Sequence, residues 1–282
     1  MSPHLHKDVG WRLFIRTVLG RAYPRVFGYA REPVKLLIDV ALPLIALFAY
    51  VFVYRAIHAP EVFIGYVILG GAMSAYWINV LWGMSSQFFW ERQIGNLALY
   101  VMAPSSLMAI LLGMAIGGIV IATMRAAVIV LLGAWFFHIK FMVRSIPMVG
   151  LVFLLTVTAL YAMGMMFASL FLLFGREARH FVELSQEPAY LLTGTYFPIK
   201  SLNFWVASAA SLIPLTLGLD AMRQLVFASG GASGMTMGFL SPKIECAALL
   251  VLSVVFLVGA HQSLKHMERL AVAEGKLTET HA

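Results

Sequence analysis

The chain has 282 residues, 61% of them hydrophobic and only 12% charged, where an ordinary soluble domain is about 25% charged. At a mean hydropathy of +0.87 the apolar excess must face lipid, which excludes soluble enzymes, nucleic-acid modules and disordered chains. The net charge of +7 suits basic cytosolic flanks rather than a nucleic-acid partner, and the single Cys246 allows neither an internal disulfide nor a cysteine-based metal cluster.

Residues 1–35 read as a basic segment expected on the cytosolic side, and no cleavable signal peptide is expected. On a helix from about Val9 to Gly20, Trp11, Phe14, Ile15, Val18 and Leu19 share one side and Arg12 and Arg16 another, with Leu13 interrupting the polar face. Such a segment reads either as a basic flank that fixes orientation or as an interfacial amphipathic helix beside a cytosolic partner. Charge-poor runs long enough to cross a bilayer then follow at 36–54, 62–89, 105–137, 147–174, 181–197 and 244–264. The run 201–219 differs. Pro214 interrupts it, and Ala207, Ser208, Ala209, Ala210 and Ser211 make it small-residue rich, which predicts a re-entrant hairpin rather than a seventh span.

Six spans place both termini on one side. Thirteen Lys and Arg residues then fall on the cytosolic side and six outside, with Arg125 inside a span. That is the bias of the positive-inside rule. The sequence therefore predicts an all-α integral membrane protein in a single transmembrane domain, 1–282. It comprises the segment 1–35, a six-span core 36–264 and a cytosolic tail 265–282, with an extracytoplasmic re-entrant helical hairpin between spans five and six.

Between spans two and three, residues 90–104 predict a short amphipathic helix presenting Glu91 and Arg92 to the cytosol, with Leu97, Tyr100 and Val101 as an apolar ridge. Pro104 marks the break before the next helix. On spacing alone the same residues also read as a tight turn. Glu91-Arg92, Gly95-Asn96-Leu97 and Pro104, however, resemble the E-R-x-x-G-T-L-x-x-L-x-x-x-P element of ABC-2-type transporter permease subunits. Asn96 stands where threonine is usual, and Ala98 where glutamate is common. Leu192-Thr193-Gly194-Thr195-Tyr196-Phe197-Pro198 resembles the S-G-x-x-F-P element of that family. Ile213-Pro214-Leu215-Thr216 and Asp220-Ala221-Met222-Arg223 resemble its N-P-L-T and D-A-x-R elements, with Ile213 replacing asparagine.

The resemblance implies that Glu91, Arg92, Gly95, Asn96, Leu97, Tyr100 and Pro104 form a coupling helix docking on a separate ABC ATP-binding subunit. It implies that Gly194, Phe197, Pro198, Pro214, Asp220 and Arg223 shape the extracytoplasmic hairpin. It also implies a second permease copy, identical or related, and an integral place in a bacterial plasma (inner) membrane. No G-x-x-x-x-G-K-[ST] loop occurs in the chain, so ATP and Mg belong to the partner subunit and the chain is not itself an enzyme.

Arg176, Glu177 and Arg179 form a charged loop that is either a topology signal or a second cytosolic contact. Asn79, Trp82 and Arg125 are the candidate substrate-pathway residues. Arg125 lies 20 residues after Ser105, about 30 Å along a helix, and is expected to snorkel to the outer headgroups or face a polar substrate. Asn79 is expected to hydrogen-bond between helices, and Asp39 to pair with Lys35 one turn before it. His138 and His261 have no histidine at metal-ligand spacing. Asp220 and Arg223, three apart, are expected to neutralise each other.

The reading that follows is the permease of an ATP-driven exporter of an amphipathic, drug-like or lipid-like substrate, in contact with membrane lipid. The rivals are a lipid-linked polysaccharide exporter of the same superfamily and, from another class, an ion-coupled secondary transporter. The last needs an essential membrane carboxylate, for which the sequence offers Asp39 and Glu187.

Overall fold

The computed structural model describes residues 10–103, 105–139, 141–174, 180, 184, 186, 188–227 and 238–273. Among them the regular elements are helical throughout: α1 (Trp11–Ala30), α2 (Pro33–Ala56), α3 (Val62–Ile78), a π-helical turn (Asn79–Ser85), α4 (Gln87–Gln93), α5 (Asn96–Met102), α6 (Leu107–Phe137), α7 (Ile146–Phe174), α8 (Phe204–Ala210), α9 (Pro214–Val226) and α10 (Pro242–Ala273). Five of these, with α3 and its π turn taken as one, are long and apolar enough to cross a membrane. They are α2, α3, α6, α7 and α10. Of the expected fifth span, 181–197, residues 181–183, 185 and 187 lie outside the described set; 188–192 are helical, and the chain turns at Gly194 with φ +64°.

Local chemistry sets the helix ends. Pro33 occupies the first turn of α2, where its missing N–H costs nothing. Ser106 caps α6 by accepting from the Ala109 N–H at 3.2 Å. Gly95, at φ +83°, makes the left-handed turn between α4 and α5. Pro214 opens α9, and α8 and α9 meet at 108°.

The N-terminal helix runs ten residues past its expected end, straight through Pro24. What holds it is packing along α6. A side chain at Gly113 would strike the Val18 carbonyl at 2.5 Å, and one at Gly117 would crowd Arg25 and Ala22. This small-x-x-x-small pair lets the two backbones approach closely. The residues that α1 buries are Val18, Ala22 and Tyr29, while Trp11 and Leu19 of the expected apolar face stay exposed.

α3 forms the centre, with 89% of its span buried, whereas α2 has 11% buried. α7 packs on α9 and along α10, whose Ser253 hydroxyl donates to the Leu155 carbonyl of α7 at 3.2 Å. α9 is buried among α3, α7 and α10, while α8 leaves Phe204 and Trp205 exposed.

Candidate functional site: the inner loop, the buried arginines and two cavities

At the inner loop Glu91 is the organising side chain. It is 6% exposed and accepts hydrogen bonds from Gln87 Nε2 at 3.0 Å, Asn96 Nδ2 at 2.9 Å and Tyr100 Oη at 2.9 Å. Arg21 of α1 completes the set as an ion pair and lies 4.8 Å over the Tyr100 ring. Burial alone would raise the Glu91 carboxyl, but Asn96, Arg21, Tyr100 and Gln87 outweigh it and hold it below its ordinary value. Burial, reinforced by the bond to Glu91, pushes the Tyr100 phenol up to about 12.

The expected cytosolic presentation of Glu91 is therefore corrected: a partner 70 positions earlier, invisible to local periodicity, draws it inward. Tyr100 likewise faces Glu91 instead of forming an outer ridge. Among the described side chains of this loop, Trp90, Ile94, Leu99 and Met102 are apolar and exposed. Arg92 and Leu97 lie in α4 and α5. Pro104, Arg176, Glu177 and Arg179 fall outside the described residues.

One turn up α1 from Arg21, Arg25 reaches the π turn. Its Nη2 donates to the Gly83 carbonyl at 2.7 Å and its Nη1 to Gln87 at 3.5 Å. A π turn leaves carbonyls out of register with the following N–H groups, and this one is taken up by a guanidinium. Asn79, in the same turn, accepts from Tyr161 Oη of α7 at 2.8 Å, an interhelical bond of the expected kind. Trp82 Nε1 donates to Gln186 Oε1 at 2.6 Å.

One further turn along, Tyr29 meets Arg125 and Asp39. Arg125 forms an ion pair with Asp39, its Nε donates to Tyr29 Oη at 2.8 Å, and Tyr29 in turn donates to Asp39 at 2.9 Å. One expectation is overturned here, and of two alternatives for Arg125 the geometry favours the second. Lys35 pairs with Glu32 at 3.4 Å rather than with Asp39. Arg125, its side chain 12% exposed, turns inward to Asp39 and Tyr29 and lines a cavity instead of extending away from the bundle. The reason is length. The 31 residues of α6 span about 46 Å against a hydrocarbon core of about 30 Å. Its first turns run beside α1, so Arg125 stands level with the second turn of α2.

These residues line two adjoining cavities. The inner one, about 580 Å³, is bounded by Arg25, Tyr29, Glu32, Lys35, Asp39, Asn79, Trp82, Gln87 and Arg125 among others. All three candidate pathway residues, Asn79, Trp82 and Arg125, are in its wall. The outer one, about 870 Å³, is bounded by Leu42, Pro43, Tyr50, Tyr190, Tyr196 and Phe197 among others. Asp39, Ile78 and Arg125 belong to both walls.

The hairpin residues gather around Arg223, which is 2% exposed. Its guanidinium donates to four main-chain carbonyls: Gly194 at 2.7 Å, Phe197 at 3.0 Å, Thr195 at 2.7 Å and Tyr66 at 3.0 Å. Pro198 caps the 3₁₀ turn Ile199–Ser201 that follows. The expected Asp220–Arg223 pair is not among the ion pairs of the described residues. Asp220 instead accepts from the Phe239 N–H at 2.6 Å and Gln224 Nε2 at 3.2 Å, and Gln224 also reaches Glu245 at 3.3 Å. Three positions along a helix put the two charges on one face, and the Asp220 charge still favours the Arg223 cation, but the hydrogen bonds of each go to other groups.

Sequence reasoning missed Arg21, Arg25 and Tyr29, and Glu245 as a wholly buried acid. For the first three a signal exists: positions 21, 25 and 29 recur every four residues and share one helix face. Glu245, two residues after Lys243 at a helix start, offers no such cue.

The sequence pattern of a family described as ABC-2 type transporter matches residues 22–227. No curated protein matches the chain.

Proposed function

The chain belongs to the ABC-2 type transporter family and is a membrane permease component, and we propose that it works as half of an ATP-driven exporter in a bacterial inner membrane. Family members generally work with a separate ATP-binding subunit, which supplies ATP and Mg chemistry that the chain's own sequence does not provide. In this reading two permease copies, with the scarcely buried α2 helices facing each other or lipid, enclose a pathway, and both termini lie in the cytosol. Closure of the ATP-binding subunits pushes on the α4–α5 loop and biases the pair between inward- and outward-open states. ATP must bind those two states unequally for that push to move cargo.

The observation that carries the reading is the construction of the inner loop. Four side chains converge on Glu91 and fix two short helices against α1, while Ile94, Leu99 and Met102 remain outward. A rigid, apolar-tipped projection is what a docking lever requires. The two cavities, one polar and one aromatic, support an amphipathic, drug-like or lipid-like cargo. A polysaccharide exporter would call for a wider aromatic-lined channel.

The test is co-purification from the native membrane. A nucleotide-binding protein should accompany the chain, and a charged residue at Leu99 (Leu99→Glu) should release it without loss of the permease from the membrane. Isolation without any ATP-binding partner, or a carboxyl end labelled from outside the cell, would overturn the reading.

A further inference from the structure

The Arg125–Asp39–Tyr29 cluster stands where the two cavities meet, with the cation and the acid both in the shared wall. Both volumes fall in the range of about 300–1,000 Å³ usual for small-ligand sites. Their linings differ. The inner wall carries three cations, Arg25, Lys35 and Arg125, against two acids, Glu32 and Asp39. Lys35 is taken by Glu32 and Arg125 by Asp39, while Arg25 rests on the neutral oxygens of Gly83 and Gln87. The inner cavity thus has a surplus of one positive charge. The outer wall is dominated by rings and aliphatic groups, with Tyr50 stacked on Tyr196 at 4.0 Å.

We propose that the Arg125–Asp39 pair is a ligand-operated latch between the two cavities, opened by an amphiphile with a single anionic head, phosphate or carboxylate. The head takes the place of Asp39 on Arg125, near Arg25, and the tail enters the aromatic chamber. The proposal deepens the export reading, on which only the direction of movement rests.

Exchange of one anion for another is what such a pair permits. Removing the counter-charge from a largely buried arginine such as Arg125 is costly, but replacing it leaves the guanidinium satisfied. The displaced carboxylate has a second partner within reach of its own helix. Lys35 lies one turn before Asp39, a spacing at which opposite charges meet, and its present bond to Glu32 joins two side chains each more than half exposed. Such exposed pairs are weakly held. The latch therefore has two states, Asp39 on Arg125 and Asp39 on Lys35, and an anionic head selects the second.

Binding is measured on the purified full chain in phosphatidylcholine nanodiscs, by fluorescence anisotropy and without any ATP-binding partner, so this idea and the export reading fail independently. The probes are NBD-labelled phosphatidylglycerol, NBD-labelled dodecanoate and NBD-labelled phosphatidylcholine. Either anionic probe should bind about tenfold or more tightly than the zwitterionic one, the discrimination expected of one charge-assisted contact. Preference for phosphatidylglycerol assigns the head to a lipid source, and preference for dodecanoate to a soluble amphiphile.

Arg125→Gln should abolish the discrimination. Because that variant leaves the partly buried Asp39 without its cation, the charge-neutral Asp39→Asn/Arg125→Gln protein repeats the measurement with the same expected loss. Asp39→Asn alone removes the internal competitor and should tighten anion binding severalfold. Equal binding of all three probes by the native chain, retention of discrimination in the double variant, or weaker anion binding by Asp39→Asn would overturn the proposal.

Discussion

Two inward-facing arginines, Arg223 buried and Arg125 partly so, divide the molecule into a part that is tied and a part that can be exchanged. Arg223 donates to four carbonyls of the main chain, from Tyr66 and from the turn at 194–197. Those acceptors cannot leave without unmaking the turn itself. Arg125 is held by a carboxylate and a phenol on separate helices, with open volume on both sides. The same guanidinium is thus a rivet at one end of the bundle and a replaceable contact at the other. Partner chemistry decides which: backbone oxygens are fixed by the fold, whereas a side-chain acid on its own helix can swing to another cation.

The largest expected effect tests the tied end. Arg223→Lys should destabilise the protein by about 3–5 kcal/mol, nearly as much as Arg223→Ala, because a compact ammonium cannot serve four divergent carbonyls. Thermal unfolding in detergent reads this; a mild Lys variant would erase the distinction between the two arginines. Next comes the exchangeable end. Arg125→Gln and Asp39→Asn should each cost about 1–3 kcal/mol, and the double variant less than the two singles combined, since each single change strands the other's charge. Additive losses in that cycle would mean that the pair is not coupled.

A smaller effect separates both arginines from the ion pair of Arg21 with Glu91. Because the folded Glu91 carboxyl lies below its ordinary value, its contribution is fully present above the unfolded pKa of about 4.5. It is lost as pH falls through the lower folded value. Glu91→Gln should therefore lower stability by about 1 kcal/mol at neutral pH, and the gap to the native chain should narrow only in acid below that point. Smallest in stability is Gly95→Ala. No atom stands in the way of a Cβ there, so the cost is the left-handed backbone alone, about 1 kcal/mol. Its informative readout is transport per ATP hydrolysed in reconstituted vesicles, which should fall while membrane insertion is unchanged.

Apolar run length read from the sequence placed α2, α3, α6 and α7 closely, because a membrane leaves little freedom in where a span begins and ends. Turn chemistry located Gly95, Gly194 and Pro214, since each constraint there is local to a few residues. Partnerships were less legible. Asp39 beside Lys35, and Asp220 beside Arg223, are sound pairings on an isolated helix, yet in the fold a stronger or better-placed partner from another element prevails. Arg21 and Arg25 count as cytosolic charges in any topology tally, although both reach into the protein, to Glu91 and to the π turn at Gly83. The widened turn that frees that carbonyl has no signature in composition or period.

Arg21, Arg25 and Tyr29 ride on a single helix, and that fact ties the inner loop to the cavities. Arg21 grips Glu91, while Tyr29, eight residues and about 12 Å farther along, touches both Arg125 and Asp39. In the proposed exporter, a shove delivered at the rim would travel to the junction along this short pushrod. Its one seam is Pro24, where the rod lacks an internal hydrogen bond, so any bending must fall between the grip on Glu91 and the touch on Asp39.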